Sequence, residues 1–238
     1  MLRERGNRFR LAALLACVLA AAGGVGTAAD PAGADDAPAR EVPCEVRTVS
    51  VRASEPAAAA LACQGAADAI GFLAAQGFDV PESVVIHVVE KLPAAAGTSA
   101  AGCYLHAERR VLVLTFAEFA RLKTWLNLPA DARMYRSLVT HEVAHAVGAC
   151  NFKVREPSLQ AKEYIAYVAM FATMSPAERD LALAQVPGQG FEGDWQMSAT
   201  IYMLDPVRFG AQAYRHYLKP GNGREFLHAI LAGKVLVE

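Results

Sequence analysis

Hydrophobic positions along the chain follow two periodicities, which separate a strand-rich part from a long helical part. Residues 57–75 carry Ala, Leu, Ile and Phe at helical spacing before Gly77, which predicts a first helix. The β-branched run at residues 83–89 predicts a buried strand. Residues 102–105 and 110–115 predict a hairpin. The chain after this hairpin has mainly helical spacing, so the predicted fold class is α+β.

The helical half divides at capping residues and prolines. A helix is predicted over residues 116–125, and the next begins after Asp131 and is expected to end at Gly148. Another covers residues 158–174, and residues 195–231 are predicted to be helical with breaks at prolines.

The N-terminal segment resembles a secretory signal peptide. Four arginines precede an apolar run over residues 11–22, and small residues at 27–29 provide a cleavage site. We therefore expect residues 1–29 to be a signal peptide and residues 30–43 a flexible linker rich in Ala, Pro, Asp and Gly. Residues 44–238 are then one domain, which is long enough to have its own core.

Two alternatives to cleavage remain, a retained N-terminal anchor and lipid attachment at Cys17. No membrane span is predicted after the signal, because the later apolar segments are interrupted. The Ala-rich, signal-bearing chain is typical of bacteria, so the expected location is the periplasm or the cell exterior.

Four cysteines follow the signal: Cys44, Cys63, Cys103 and Cys150. An even number in an oxidising compartment indicates two disulfides. Three pairings are possible, and the most local one joins Cys44 to Cys63 and Cys103 to Cys150.

Charge excludes one class of partner. Removing the four arginines and one glutamate of residues 1–29 from 23 basic and 24 acidic residues leaves 19 and 23, a net charge of −4. No basic stripe is present, so no nucleic-acid partner is predicted. The sequence does not determine the oligomeric state.

The segment His141-Glu142-Val143-Ala144-His145 has the pattern H-E-x-x-H inside a predicted helix. A spacing of four residues places both imidazoles on one helical face, where they can bind one Zn²⁺. The glutamate between them can act as general base toward a water activated by the zinc. His141 and His145 are therefore predicted metal ligands, and Glu142 the catalytic residue.

Three residues are candidates for the third metal ligand. Seventeen residues separate Glu163 from His145, and Glu163 lies in an otherwise largely apolar helix, where a buried carboxylate needs a partner such as a metal. Asn151 occupies the third-ligand position of a longer pattern, H-E-x-x-H-x-x-G-x-x-N, but an amide oxygen is a weaker zinc ligand. Glu156 is a further candidate. We predict Glu163.

These motifs and the order of elements over residues 80–185 resemble the zincin metallopeptidases, and within them the gluzincins, whose third ligand is a glutamate on a following helix. The resemblance also implies membership of a bacterial secreted family of this kind. The resemblance implies a zincin-like fold, a Zn²⁺ cofactor and hydrolysis of a peptide or protein substrate. The alternative it leaves open is an inactive zincin-fold protein that binds zinc or a peptide.

Two details of the resemblance have structural consequences. Thermolysin-like gluzincins carry an aspartate one turn after the ligand glutamate, bonded to a zinc histidine, where this chain has Tyr167. Zincins bind extended substrate along a strand beside the site, and residues 111–114 are the predicted segment.

His87, within the predicted buried strand, is interpreted as a core histidine.

Overall fold

A five-stranded mixed sheet forms one layer of the protein. The computed structural model describes residues 39–97 and 100–237. The sheet has the order β1-β2-β3-β5-β4, in which β2, β3 and β5 are parallel and the two edge strands are antiparallel to their neighbours. Its strands are Arg40–Pro43 (β1), Val49–Ala53 (β2), Val84–Val89 (β3), Gly102–Leu105 (β4) and Arg110–Leu114 (β5).

Helices form the second layer and the C-terminal half, so the α+β class predicted from the sequence is confirmed. A two-stranded hairpin, Thr124–Trp125 (β6) with Leu128–Pro129 (β7), lies between the second and third helices. The helices are Pro56–Ala75 (α1), Phe116–Arg121 (α2), Ala132–Asn151 (α3), Leu159–Thr173 (α4), Pro176–Ala184 (α5), Ala199–Leu204 (α6), Pro206–Tyr217 (α7) and Gly223–Leu231 (α8).

Helix α3 is the central element of the protein. The carboxylate of Asp131 caps it by accepting hydrogen bonds from the backbone N–H groups of Arg133 and Met134, each at 3.0 Å. Fifteen of its 20 residues are buried, because α1, α4 and strands β4 and β5 all pack against it. Gly65 of α1 permits close approach of α1 to α3, since a Cβ there would lie 2.6 Å from the carbonyl oxygen of Arg136. Side chains on α3 therefore lie in the interior of the protein.

Several predicted boundaries are wrong for reasons of tertiary structure. Residues 40–43 belong to β1, which pairs with residues 50–53, so the end of the predicted linker is an edge strand of the domain. Helix α3 continues through Gly148 to Asn151, and Gly148 does not have the positive φ of a helix-terminating glycine. The predicted signal peptide and residues 30–38 lie outside the described residues.

His87 is not a core histidine. Strand β3 alternates between a fully buried face, which includes Val84 and Ile86, and a partly exposed face, which includes His87. Partial burial and the positive charges of Arg110 and Arg52 lower the pKa of His87. The residue lies on the opposite side of the sheet from α3 and takes no part in the site described below.

Helix α1 has the length and composition of a membrane span, and no other helix within residues 39–97 and 100–237 does. It packs against α3, α4 and β2, however, and Cys63 on it is covalently bonded to Cys44. These contacts are those of the core helix of a globular domain.

Only one of the two expected disulfides is present among the described residues. Cys44 and Cys63 are bonded, as the local pairing predicted. Cys103 is buried against Leu105 and Leu112 on the face of the sheet that points away from α3, whereas Cys150 is exposed near the end of α3. The predicted pairing of Cys103 with Cys150 is therefore wrong, because alternation along β4 places the sheet between them.

Thiol titration should reflect this arrangement. In the unfolded, non-reduced chain lacking residues 1–29, we expect two thiols to react, those of Cys103 and Cys150. In the native protein the exposed Cys150 should react first, because burial protects Cys103. Replacing Cys150 with serine should reduce the count in the unfolded chain to one. A count of zero would contradict the structure and restore the pairing of these two cysteines.

Candidate metal centre

Three side chains from two adjacent helices converge in the interior. The two imidazoles of α3, His141 and His145, have their Nε2 atoms 3.2 Å apart. Glu163 of α4 places one carboxylate oxygen 3.4 Å from His141 Nε2 and the other 3.5 Å from His145 Nε2. The placement follows from helical spacing on α3 and from the antiparallel return of α4 against it, which begins at the Ser158 cap.

These separations fit a metal ion. A tetrahedral ion with ligand distances of about 2.0–2.2 Å holds its ligand atoms about 3.3–3.6 Å apart, close to the three distances observed. Within the described part of the chain, this is the only group of three or more His, Cys, Asp or Glu side chains whose ligand atoms lie within 4.8 Å of one another. The group can therefore hold a metal ion.

Burial of the Glu163 carboxylate is a second feature that suits a bound cation. Glu163 is fully buried, and neither of its carboxylate oxygens has a hydrogen-bond partner. A buried carboxylate without compensation is among the costliest groups in a protein interior. A metal ion shared with the two imidazoles would compensate its charge.

The two imidazoles differ in their affinity for protons. Burial alone would lower the pKa of His141, but the nearby carboxylates of Glu163 and Glu142 outweigh it and raise that pKa. For His145, burial and the positive charges of His141 and Lys162 act together and hold the pKa well below its usual value. Neutral imidazole is the form that binds metals. The surroundings of His145 favour this neutral form more than those of His141 do.

Glu142 lies beside the group but is not part of it. Its side chain is 3% exposed, and Oε2 has no hydrogen-bond partner. Burial raises the pKa of Glu142 to about 8, the charge of Glu163 adds to the increase, and His141 opposes it. A carboxyl group with a pKa near the working pH can both accept and release a proton.

Tyr167 lies one turn after Glu163 on α4, where the sequence departs from the thermolysin-like pattern. Its ring lies edge-on to the imidazole of His141, with 4.7 Å between the ring centroids. Gly210 of α7 leaves space for that ring, since a Cβ there would lie 2.2 Å from Tyr167 Cδ1. The Nδ1 atoms of both histidines lack a hydrogen-bond partner. Aromatic packing, rather than a carboxylate, therefore orients His141.

The rival third ligands lie away from the group. The amide oxygen of Asn151 accepts a hydrogen bond from the backbone N–H of Asp79 at 2.8 Å. Its amide nitrogen donates to the carbonyls of Asp79 and Val147 at 2.9 and 2.8 Å, so Asn151 joins α3 to the loop after α1. Glu156 is exposed in the α3–α4 connection. Neither residue reaches the two imidazoles.

Sequence reasoning missed two glycines that shape the site. Gly102 of β4 lies against Glu142, and Gly210 lies against Tyr167. A glycine inside a predicted strand is a known sign of close approach by another group, and Gly102 carried that signal. Gly210 lies within a helix and gave no comparable indication of its neighbour.

A family model described as a family of unknown function, DUF6639, matches residues 49–238. The chain belongs to the DUF6639 family. The match covers strands β2 to β5 of the sheet, though not β1, and all three residues of the metal group, so the site lies within the family domain. No curated protein and no solved structure matches the chain significantly.

Proposed function

We propose that this DUF6639 protein is a zinc-dependent metallopeptidase with a zincin-like fold. The observation that carries the proposal is the buried group of His141, His145 and Glu163. Glu142 lies beside this group, on the same helix as the two histidines. This combines a three-residue metal site with a separate carboxyl group that is not needed as a ligand. Gluzincin-like peptidases require the same two features.

The donor set supports zinc. Two imidazoles and one carboxylate suit Zn²⁺, and a site of three protein ligands is typical of catalytic zinc, whereas structural zinc takes four. Within residues 39–97 and 100–237, no fourth His, Cys, Asp or Glu joins the group. When bound, zinc lowers the pKa of a water molecule and polarises the carbonyl group to be attacked.

The protein residues around the metal would then handle protons and position the substrate. Glu142 is the proposed general base: it accepts a proton from the attacking water and delivers it to the leaving amine. Burial raises the pKa of Glu142 to about 8, so both the protonated and the ionised forms are accessible near neutral pH. Tyr167 holds the His141 ring in place against α7.

Of the two edge strands of the sheet, β4 is the one beside the metal group. Residues 111–114, predicted to bind substrate, lie in β5 between β3 and β4, and their backbone groups are paired on both sides. That prediction is wrong, because strand addition needs a free edge. Strand β4 forms the edge of the sheet and its first residue, Gly102, contacts Glu142. We propose β4 as the strand along which a peptide substrate lies.

Export is also part of the proposal. The disulfide between Cys44 and Cys63 is compatible with an oxidising compartment, and it agrees with the signal-like sequence of residues 1–29. We propose a bacterial periplasmic or extracellular location and a peptide or protein substrate.

Metal content and peptide hydrolysis test the proposal directly. The purified chain should bind one zinc, measured by elemental analysis after reconstitution and removal of excess metal. It should cleave members of an unstructured peptide library, and 1,10-phenanthroline should abolish that cleavage until zinc is restored. The His141→Ala, His145→Ala double variant is the control, because it removes two of three ligands. A wild-type chain with no more zinc than this control would contradict the proposal.

A second candidate function is a zincin-fold protein that binds zinc or a peptide without turnover. The observation favouring it is burial: His141, Glu142 and His145 are at most 6% exposed, and Glu163 is 0% exposed. One zinc per chain with no cleavage of any library peptide would support this alternative.

A further inference from the structure

Strand β4 contains a glycine at the one point where it touches the proposed catalytic base. A Cβ built on Gly102 would lie 2.6 Å from Glu142 Cγ and 3.0 Å from both Cδ and Oε1. Contacts this short involve three consecutive positions of the Glu142 side chain, from its middle to its end. Any residue other than glycine at position 102 would therefore have to displace the carboxyl group.

Backbone conformation does not explain this glycine. Gly102 does not have a positive φ, so an alanine could adopt the same backbone dihedral angles. Strands also disfavour glycine, which adds no side-chain packing and costs conformational entropy. The contact with Glu142 is the structural feature that accounts for glycine at this edge.

Burial leaves Glu142 no simple alternative position. The residue is 3% exposed, and its neighbours on α3, Val143 and Ala144, are fully buried. A displaced carboxyl group would have to move into packed side chains, where an ionisable group is costly. Gly102 and the packing around α3 together therefore define where the carboxyl group lies.

We propose that Gly102 is a positioning residue for Glu142: the absence of a side chain at this point of β4 lets the carboxyl group of Glu142 lie against the strand. The catalytic consequence rests on the proposed peptidase function, whereas the contact itself does not. The three atoms nearest to a Cβ at position 102 all belong to Glu142 and none to a metal ligand, so Gly102 should affect the base without affecting the metal.

A double-mutant cycle on stability tests the contact without any assay of hydrolysis. Gly102→Ala should lower the thermal midpoint by about 3–10 °C, because it overpacks a buried site. In a Glu142→Ala background the clashing atoms are gone, so the same change should lower the midpoint by less than about a third as much. The midpoints are measured by circular dichroism on the purified chain, zinc-loaded and after EDTA.

Gly65→Ala is the matched control. A Cβ on Gly65 would be equally close to its neighbours, at 2.6 Å from Arg136 O and 2.8 Å from Val139 Cβ, but none of these atoms belongs to Glu142. Its destabilisation should therefore be the same with glutamate or alanine at position 142. If Gly102→Ala also destabilises equally in both backgrounds, or does not destabilise at all, the inference is overturned.

Hydrolysis provides the second measurement. Gly102→Ala should keep one zinc per chain and lower kcat about 100-fold, since a displacement of about 1 Å at a reacting group can cost that much, with a smaller change in KM. Wild-type kcat in a zinc-loaded Gly102→Ala protein would overturn the positioning role. If the wild-type chain hydrolyses nothing, the proposed function fails, and the thermal midpoints alone still decide whether Gly102 positions Glu142.

Discussion

Replacing Glu142 with glutamine should abolish peptide hydrolysis while leaving one zinc per chain. The amide preserves the shape of the side chain but cannot accept the proton of an attacking water. Loss of a positioned general base typically costs about 10²–10⁴-fold in rate. The metal group of His141, His145 and Glu163 is untouched, so zinc content measured by elemental analysis should not change.

The fold should also survive the Glu142→Gln change. A buried acid whose pKa is raised to about 8 loses stability as pH rises from its unfolded value of about 4.3 through 8, because the folded state favours the protonated form. A neutral amide avoids that loss. The metal-free variant should therefore have a thermal midpoint at pH 8 no lower than that of the wild type.

Glu156→Gln is the control for this experiment. It makes the same chemical change at an exposed glutamate of the α3–α4 connection, and both zinc content and hydrolysis should remain at wild-type values. Hydrolysis that persists in a zinc-loaded Glu142→Gln protein would refute the role of Glu142 as general base.

Replacing Glu163 with alanine should reduce zinc affinity by more than about 100-fold. Changes to residues that only support metal ligands cost about 10–100-fold in affinity, and here a ligand and its negative charge are both lost. The measurement is competition with a chromophoric chelator. Neither carboxylate oxygen of Glu163 has a hydrogen-bond partner. Removing the carboxylate should therefore destabilise the metal-free fold much less than it weakens zinc binding.

Asn151→Ala is the informative comparison. It removes three hydrogen bonds that join α3 to residue 79 and to the preceding helical turn, and should cost about 1–3 kcal/mol of stability. Zinc affinity of the folded variant should stay within about threefold of the wild type. If Asn151→Ala weakened zinc binding more than Glu163→Ala, Asn151 rather than Glu163 would be the third ligand and the observed geometry would not be that of the metal-bound protein.

The local features of the site could be predicted because short-range geometry determines them. Four residues separate His141 from His145, and in a helix this spacing suffices to place two imidazoles together. Glu163 could be predicted because a carboxylate within an apolar helix needs a compensating charge. Caps such as Asp131 and Ser158 marked where both helices begin.

Edges and end points could not be predicted in the same way, because they depend on partners distant in the sequence. Residues 40–43 resemble a linker in composition and become a strand only because β2 supplies an antiparallel partner. Helix α3 continues past Gly148 because the amide of Asn151 bonds to residue 79. Residues 111–114 have the pattern of any β-branched strand, and only the order of the sheet shows them to be interior.

The sequence by itself was enough to predict the α+β class, the disulfide between Cys44 and Cys63 as the most local of three pairings, and Glu163 as the preferred partner of His141 and His145. The tertiary structure alone decided that Cys103 and Cys150 lie on opposite sides of the sheet, that β4 is the edge beside the site, and that Gly102 faces Glu142. Spacing along one helix is set by the backbone within a few residues, whereas the contact between a strand and a helix 40 residues later is set by packing of the whole domain.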